Sequence, residues 1–385
     1  MIYLDNAATS WPKPEPVYTA LGDFLRTAGA NPGRAGHRMA VAAADTIARA
    51  RAAVAGVIGV REPERVVFTG NCTDSLNLAL RGLLRPGDRV ITSSMEHNSV
   101  ARPLHALARQ GVEVLTLQAD PDGWLDPARV AEAASAGAAL IAVTHASNVT
   151  GAALPVADYA MIARQWGALL LVDGAQTVGA QPVDVDALGI DLLAFPGHKG
   201  LLGPTGTGAL SIGPRVDLER FEPLRAGGTG IFSEELDQPL ALPWRYEAGT
   251  LNTVGIAGLL AGVDALTAFG IDTVRAHEAR QTAALVDGLA AIPGCRVFPV
   301  RDEAARAAVV SFTLDGWTPA DAGAVLDEAF GIACRVGLHC APLACATIGA
   351  ATGGTIRFSP GPFTTDDEID AAIDAVRELA ASPLR

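Results

Sequence analysis

Lysine is almost absent from this 385-residue chain. Of its 29 basic residues 27 are arginine, and the two lysines are Lys13 and Lys199. Chemistry that needs an ε-amine must use one of those positions. Lys13 lies in the proline-flanked stretch Trp11-Pro12-Lys13-Pro14 and reads most simply as a surface residue. The basic residues are outnumbered by 42 Asp and Glu, giving a formal charge of −13, and they form no cluster. That balance argues against nucleic acid or an anionic membrane as the main partner. No stretch resembles a spanning helix, and Asp5 stands where a signal peptide needs a basic and then an apolar run, so a cytoplasmic protein is expected. Five cysteines, Cys72, Cys295, Cys334, Cys340 and Cys345, are an odd number and include no CxxC pair. They fit reduced thiols better than a disulfide framework, and a zinc site among Cys334, His339, Cys340 and Cys345 lacks the usual spacing, so no metal is expected. A Walker lysine and a Rossmann fingerprint are missing too, because Gly203, Gly206 and Gly208 are wrongly spaced for both.

With 49% hydrophobic and 18% charged residues the chain buries surface easily, and its length suggests one large domain with a smaller partner. Short apolar runs alternate with alanine-rich helical stretches between residues 60 and 215: Val66-Val67-Phe68, Arg89 to Thr92, Val112 to Leu117, Ala139 to Thr144, Ala168 to Val172, Asp191 to Phe195 and Gly208 to Ile212. Near-continuous apolar strands separated by helices predict an α/β domain with a mainly parallel, seven-stranded sheet covered on both faces. After residue 255 longer helical stretches, Ile256 to Phe269 and Val274 to Ala291, precede strand-like pieces at Cys295 to Val300 and Ala308 to Thr313. A capping box, Thr365-Asp366-Asp367-Glu368, then opens a last helix. The expected organisation is a large domain over 15–255 and a smaller α+β domain over 256–385, with 1–14 as a segment reaching the active site.

Polar and glycine residues follow five of the runs: Gly70-Asn71-Cys72-Thr73, Ser94-Met95-Glu96-His97, His145-Ala146-Ser147-Asn148, Asp173-Gly174-Ala175-Gln176 and Gly197-His198-Lys199. Ligands of open α/β sheets bind beyond the carboxyl ends of the strands, so these clusters point to one shared site. Lys199, in a glycine-rich turn, could form a Schiff base if its amine is desolvated, or be a surface lysine. Asp173 could pair with the ring nitrogen of pyridoxal phosphate (PLP), or cap a turn. Gln176 offers an amide to the cofactor's phenolic oxygen. The turn around Thr73 could bind a phosphate ester at a helix amino terminus, the alternative being ordinary capping by Thr73 or Ser75. His97 could stack on a cofactor or serve a turn. Arg335-Val336-Gly337-Leu338-His339-Cys340 sets a cysteine near positive charge, which makes Cys340 the best nucleophile of the five; Cys295 and Cys334 read as small buried hydrophobes. Arg357, after Gly353-Gly354-Thr355-Ile356, could fork onto a substrate carboxylate or form a structural salt bridge.

In combination these motifs resemble the class V aminotransferase superfamily of fold-type I PLP enzymes, and within it the cysteine desulfurases. The resemblance runs in order from Tyr3-Leu4-Asp5-Asn6-Ala7-Ala8-Thr9 through Asn31 to His37, Glu96-His97-Asn98, Ser147-Asn148, Asp173 to Gln176, Gly197-His198-Lys199 and Glu247-Ala248-Gly249-Thr250 to the Cys340 loop and Arg357. It implies that Lys199 holds PLP, Asp173 pairs with the pyridine nitrogen, Gln176 meets the phenolic oxygen and His97 stacks on the ring. Thr73 and His198 would bind the phosphate together with Thr250 of a second subunit, which implies a homodimer with shared sites. Asn148 and Arg357 would grip the substrate carboxylate, with Arg34 lining the neighbouring site. The implied reaction converts L-cysteine to L-alanine: Lys199 moves the Cα proton and Cys340 takes the sulfur as a persulfide for a protein acceptor. The compact spacing from Arg335 to Cys340 is similar to that of a desulfurase group that also contains selenocysteine lyases. Leu338 and Pro196 depart from it, standing where many of those enzymes have histidine and serine. A PLP carbon–sulfur lyase working by β-elimination and a non-catalytic sulfur- or metal-binding module are the competing readings.

Overall fold

The computed structural model describes residues 1–33, 36–231 and 234–383. After a two-residue strand β1 (Ile2–Tyr3), the seven apolar runs become β2 (Val66–Thr69), β3 (Arg89–Ser93), β4 (Glu113–Leu117), β5 (Leu140–Thr144), β6 (Leu169–Asp173), β7 (Leu192–Pro196) and β8 (Gly208–Ile212). They form one sheet in the order β2-β8-β7-β6-β5-β3-β4. All neighbours are parallel except β8, which runs antiparallel to β2 and β7. Alternate residues serve opposite faces: Ile91, Ile141, Val143, Leu170, Val172 and Leu193 join one core, and Val90, Ala142, Leu171, Leu192 and Ala194 join the other. Both faces of the strands are therefore buried, which is why the runs lack polar alternation.

The later part of the chain adds β9 (Cys295–Val297), β10 (Val310–Leu314), β11 (Ile332–Ala333), β12 (Arg335–Gly337) and β13 (Thr355–Phe358). Four of these make a second sheet, ordered β12-β13-β10-β9 and antiparallel throughout. The helix Asp366–Ala381 opens with the expected capping box. It buries Ile369, Ile373, Val376 and Leu379 with Leu285, Phe312 and Phe358 in a separate core. Helix Thr253–Phe269 behaves differently. It packs on α1 (Glu15–Thr27) and α2 (Arg38–Val57), and its Ile256, Leu259, Val263 and Leu266 join the first core. A division at residue 255 thus crosses a helix packed on the large sheet's side. Among the described residues no single helix is long and apolar enough to cross a membrane.

The amino terminus is tied to the second sheet. Strand β1 pairs in parallel with β11, the Ser359 amide donates to the Leu4 carbonyl at 2.8 Å, and the Ala7 amide donates to Ser359 Oγ at 3.0 Å. From there the chain crosses to the turn after β7.

One buried ion pair organises the stretch leading to Thr250. Arg51 donates through Nη1 and Nη2 to Glu247 at 2.7 and 2.8 Å, with both side chains almost fully covered. The same carboxylate accepts the Phe68 amide of β2 at 2.7 Å. Removing one partner strands a buried charge, so Arg51→Met is expected to lower stability by about 3–5 kcal/mol. A urea titration following tryptophan fluorescence measures this; an unchanged midpoint would show that Glu247 finds another cation or a proton at little cost.

Candidate active site

The post-strand clusters converge as their positions require. Thr73, His97, Asn148, Asp173, Gln176, His198 and Lys199 line one cavity with Ala7, Ala8, Cys72 and Arg335. Thr73, His97, Asn148, Gln176, His198 and Lys199 follow the carboxyl ends of strands, Asp173 closes β6 and Arg335 opens β12, and Ala7 and Ala8 come from the amino-terminal crossing.

Lys199 lies in the turn after β7, its carbonyl accepting the Leu202 amide at 2.9 Å. Burial pushes its amine down to about 8, against the attraction of Asp173. Asp173 is buried at the end of β6. Its Oδ1 accepts the Ala175 amide at 3.0 Å and the Cys72 thiol at 3.5 Å. The motifs did not single out Cys72, although it sits between Asn71 and Thr73 in the proposed anion turn. Burial, reinforced by Asp173, pushes its thiol well up, so it is a neutral donor.

Helix α3 (Cys72–Leu83) begins at this turn. Its cap is neither Thr73 nor Ser75 but Asn71, whose Oδ1 accepts the Asp74 amide at 2.9 Å. Ser75 Oγ pairs with Thr69 Oγ1 at 2.8 Å. The Thr73 hydroxyl consequently makes no hydrogen bond among the described residues. His97 does two things at once. Its Nδ1 accepts the Ser99 amide at 3.1 Å, capping α4 (Asn98–Ala108), while the ring borders the cavity. Burial lowers its pKa, and the pull of Asp173 in the other direction is the next largest influence. His198 Nδ1 is buried with no partner. Burial, with Lys199 and Lys13 nearby, pushes this imidazole down to about 4. Gln176 Nε2 donates to the Ala7 carbonyl at 3.2 Å.

Arg357 shows the salt-bridge geometry. It is fully buried on β13; Nη2 donates to Asp5 Oδ1 at 2.6 Å and Nη1 to the Asn148 carbonyl at 3.0 Å. Its Nε has no partner. The arginine that borders the cavity is Arg335, from the neighbouring strand β12.

Cys340 is exposed in the short connection after β12. His339 and Cys340 both adopt left-handed backbone, with φ of 50° and 57°, a conformation that non-glycine residues hold only when their surroundings enforce it. Asn148 Nδ2 donates to the His339 carbonyl at 2.7 Å, and the Asn98 amide to the Cys340 carbonyl at 2.8 Å. Arg335 Nη2 lies 3.0 Å from Cys340 Sγ. The thiol borders a second cavity with Asn77, Arg81, Arg102, Thr73 and His97, and the last two also line the Lys199 cavity. The other cysteines differ in kind: burial pushes Cys295 and Cys334 up to about 12 and Cys345 to about 11.

Thr250 and Lys13 lie outside this cavity. Thr250 faces a separate groove, its Oγ1 accepting Asn31 Nδ2 at 3.1 Å. Arg34 falls outside the described residues. Lys13 is not a free surface lysine: it is half-buried, Nζ donating to Ser10 Oγ at 2.7 Å and to the His198 carbonyl at 2.9 Å. Sequence could not show this, because the partner is a backbone carbonyl 185 residues away.

This lysine-and-carboxylate cavity beyond a mainly parallel sheet is what a class V aminotransferase builds, and the chain belongs to that family: the aminotransferase class-V model matches residues 2–372. Its relatives narrow the comparison. It is 37% identical to a probable cysteine desulfurase of Methanothermobacter thermautotrophicus, over 98% of this chain and 94% of that one. It is 35% identical to a cysteine desulfurase of Salmonella typhimurium, over 98% and 93%. Among solved structures, the apo cysteine desulfurase of Thermococcus onnurineus superposes with a TM-score of 0.92 at 34% identity, covering 99% of this chain and 94% of that one. A cysteine desulfurase of Escherichia coli superposes at 0.87 with 32% identity, covering 98% and 94%.

Proposed function

We propose that this protein is a PLP-dependent cysteine desulfurase, converting L-cysteine to L-alanine and holding the sulfur on Cys340 as a persulfide for an acceptor. The observation that carries this is the pairing of two cavities with common walls, one holding a half-buried lysine beside a carboxylate, the other an exposed cysteine backed by arginine.

The residues present suit PLP. The unpartnered His198 Nδ1 and the free Thr73 hydroxyl at a helix amino terminus would hold its phosphate, Asp173 would face its ring nitrogen, Gln176 its phenolic oxygen and His97 its ring face. Thr250, turned away from its own chain's cavity, would reach the phosphate from a second copy in a homodimer. When bound, PLP supplies the electron sink that makes the substrate's Cα proton acidic. Lys199 would hold the cofactor through its amine, and as a free amine would take and return the substrate's Cα proton. Arg335, which borders the cavity with Asn148, would hold the carboxylate end, and Arg357, donating to the Asn148 carbonyl, would fix that wall from behind. The Cys340 thiolate attacks the substrate sulfur: an S–S bond forms, the C–S bond breaks, and protonation of the three-carbon remainder gives alanine.

Product analysis tests the reading. L-Cysteine is expected to yield alanine with sulfide appearing only as an added thiol discharges the persulfide. Pyruvate and ammonia as the main products would identify β-elimination instead.

The amine's depressed pKa adds a pH dependence. The neutral form of the Lys199 amine is the one that would hold the cofactor, and burial pushes that amine down to about 8. Capture of PLP by the apoprotein, followed by visible absorbance, is therefore expected to accelerate as pH rises toward 8 and to level off above it. A rate independent of pH in that window would contradict the assignment of Lys199.

A further inference from the structure

Both lysines of the chain lie next to His198. The His198 carbonyl, one bond from the Lys199 nitrogen, accepts from Lys13 Nζ at 2.9 Å, Ser10 N at 3.0 Å and Thr9 Oγ1 at 3.0 Å, and Ser10 Oγ lies 3.3 Å away. Ser10 Oγ also lies 3.0 Å from the Lys199 carbonyl. A carbonyl oxygen has two lone pairs, so it is fully satisfied without the ammonium. Lys13 in turn makes no ion pair among the described residues, and burial pushes its amine down to about 8. A half-buried cation without a counter-ion, donating to an acceptor that does not need it, costs stability. Its retention beside the active-site turn therefore calls for a gain of another kind.

We propose that Lys13 is a positioning residue for Lys199: its ammonium, with Thr9 and Ser10, clamps the His198–Lys199 peptide and so fixes both the phosphate-facing imidazole and the amine. The inference rests on the PLP reading above. It separates function from stability, because loss of the ammonium leaves the carbonyl satisfied while loosening the orientation of the amine. Misplacement of a reacting group by a fraction of an ångström is enough to slow a reaction that depends on alignment.

The test uses the PLP-loaded enzyme carrying Lys13→Met, Lys13→Arg or Thr9→Val. Three readouts are needed: kcat and KM for alanine formation, the visible circular dichroism of the bound cofactor, and the melting temperature. Lys13→Met is expected to lower kcat by about tenfold, to change the visible circular dichroism, and to leave KM near the parent value with a melting temperature no lower than the parent's. Lys13→Arg should restore part of kcat, and Thr9→Val combined with Lys13→Met should lose less than the product of the single losses, since both act on one oxygen. Unchanged kcat and circular dichroism in Lys13→Met, or losses that follow a fall in melting temperature, would overturn the proposal and leave Lys13 a structural residue. A parent protein with no visible band would instead remove the PLP reading itself.

Discussion

Lys199→Arg is expected to abolish alanine formation, on the order of 10^4-fold or more. Arginine keeps the positive charge in the cavity but cannot form an imine and does not give up a proton in the working pH range. Loss of activity in this variant therefore isolates amine chemistry from simple charge. The chain offers one other amine, and geometry disqualifies it. Lys13 has a similarly depressed pKa, near 8, but its Nζ is committed to Ser10 and the His198 carbonyl and is not among the groups bordering the cavity. Borohydride reduction of the parent with PLP, followed by peptide mapping, should label Lys199 alone. A label on Lys13, or substantial turnover by Lys199→Arg, would move the chemistry away from the cavity described above.

Cys340→Ser is expected to lose sulfur transfer by at least about 10^3-fold while still binding cysteine, because a hydroxyl at neutral pH is a poor nucleophile and cannot form a persulfide. Mass analysis after one equivalent of cysteine should find one extra sulfur on the parent at Cys340 and none on the variant. Cys345→Ala serves as the control. Its thiol is buried and pushed up to about 11, so removal should leave the persulfide intact at Cys340. Alanine and sulfide released by Cys340→Ser at the parent rate would defeat the desulfurase reading. Pyruvate from the same variant would support elimination, which needs Lys199 but no cysteine.

The large sheet was legible because its strands are covered on both faces. Runs such as Leu169–Asp173 and Leu192–Pro196 are nearly free of polar residues, and they stand out even against an alanine-rich background. The reversed direction of β8 was not legible, since a buried antiparallel strand has the same composition as a parallel one. Strand β12 was missed because it is three residues long and carries an arginine, whereas the stretch around Arg357 reads as a strand and forms β13. Within the site, residues following a strand were found from local spacing. Relations across the chain were not. Nothing local marks Asn71 rather than Thr73 as the cap of α3, places Cys72 against Asp173, pairs Arg357 with Asp5, or brings Lys13 to residue 198.

The tie between the amino terminus and the second sheet also sets an order of events during synthesis. Asp5 and Ala7 are among the first residues to leave the ribosome, yet their partners are Arg357 and Ser359. The large sheet can form once residue 212 has emerged. The segment that clamps the His198–Lys199 turn cannot settle until nearly the whole chain is made, because its other end docks on β11 and on the stretch after β13. Contacts of such sequence separation close late. A nascent chain stalled after β8 but before β13 should therefore carry a folded sheet with an unfinished catalytic turn, and the turn should be completed only once the stretch after β13 has emerged.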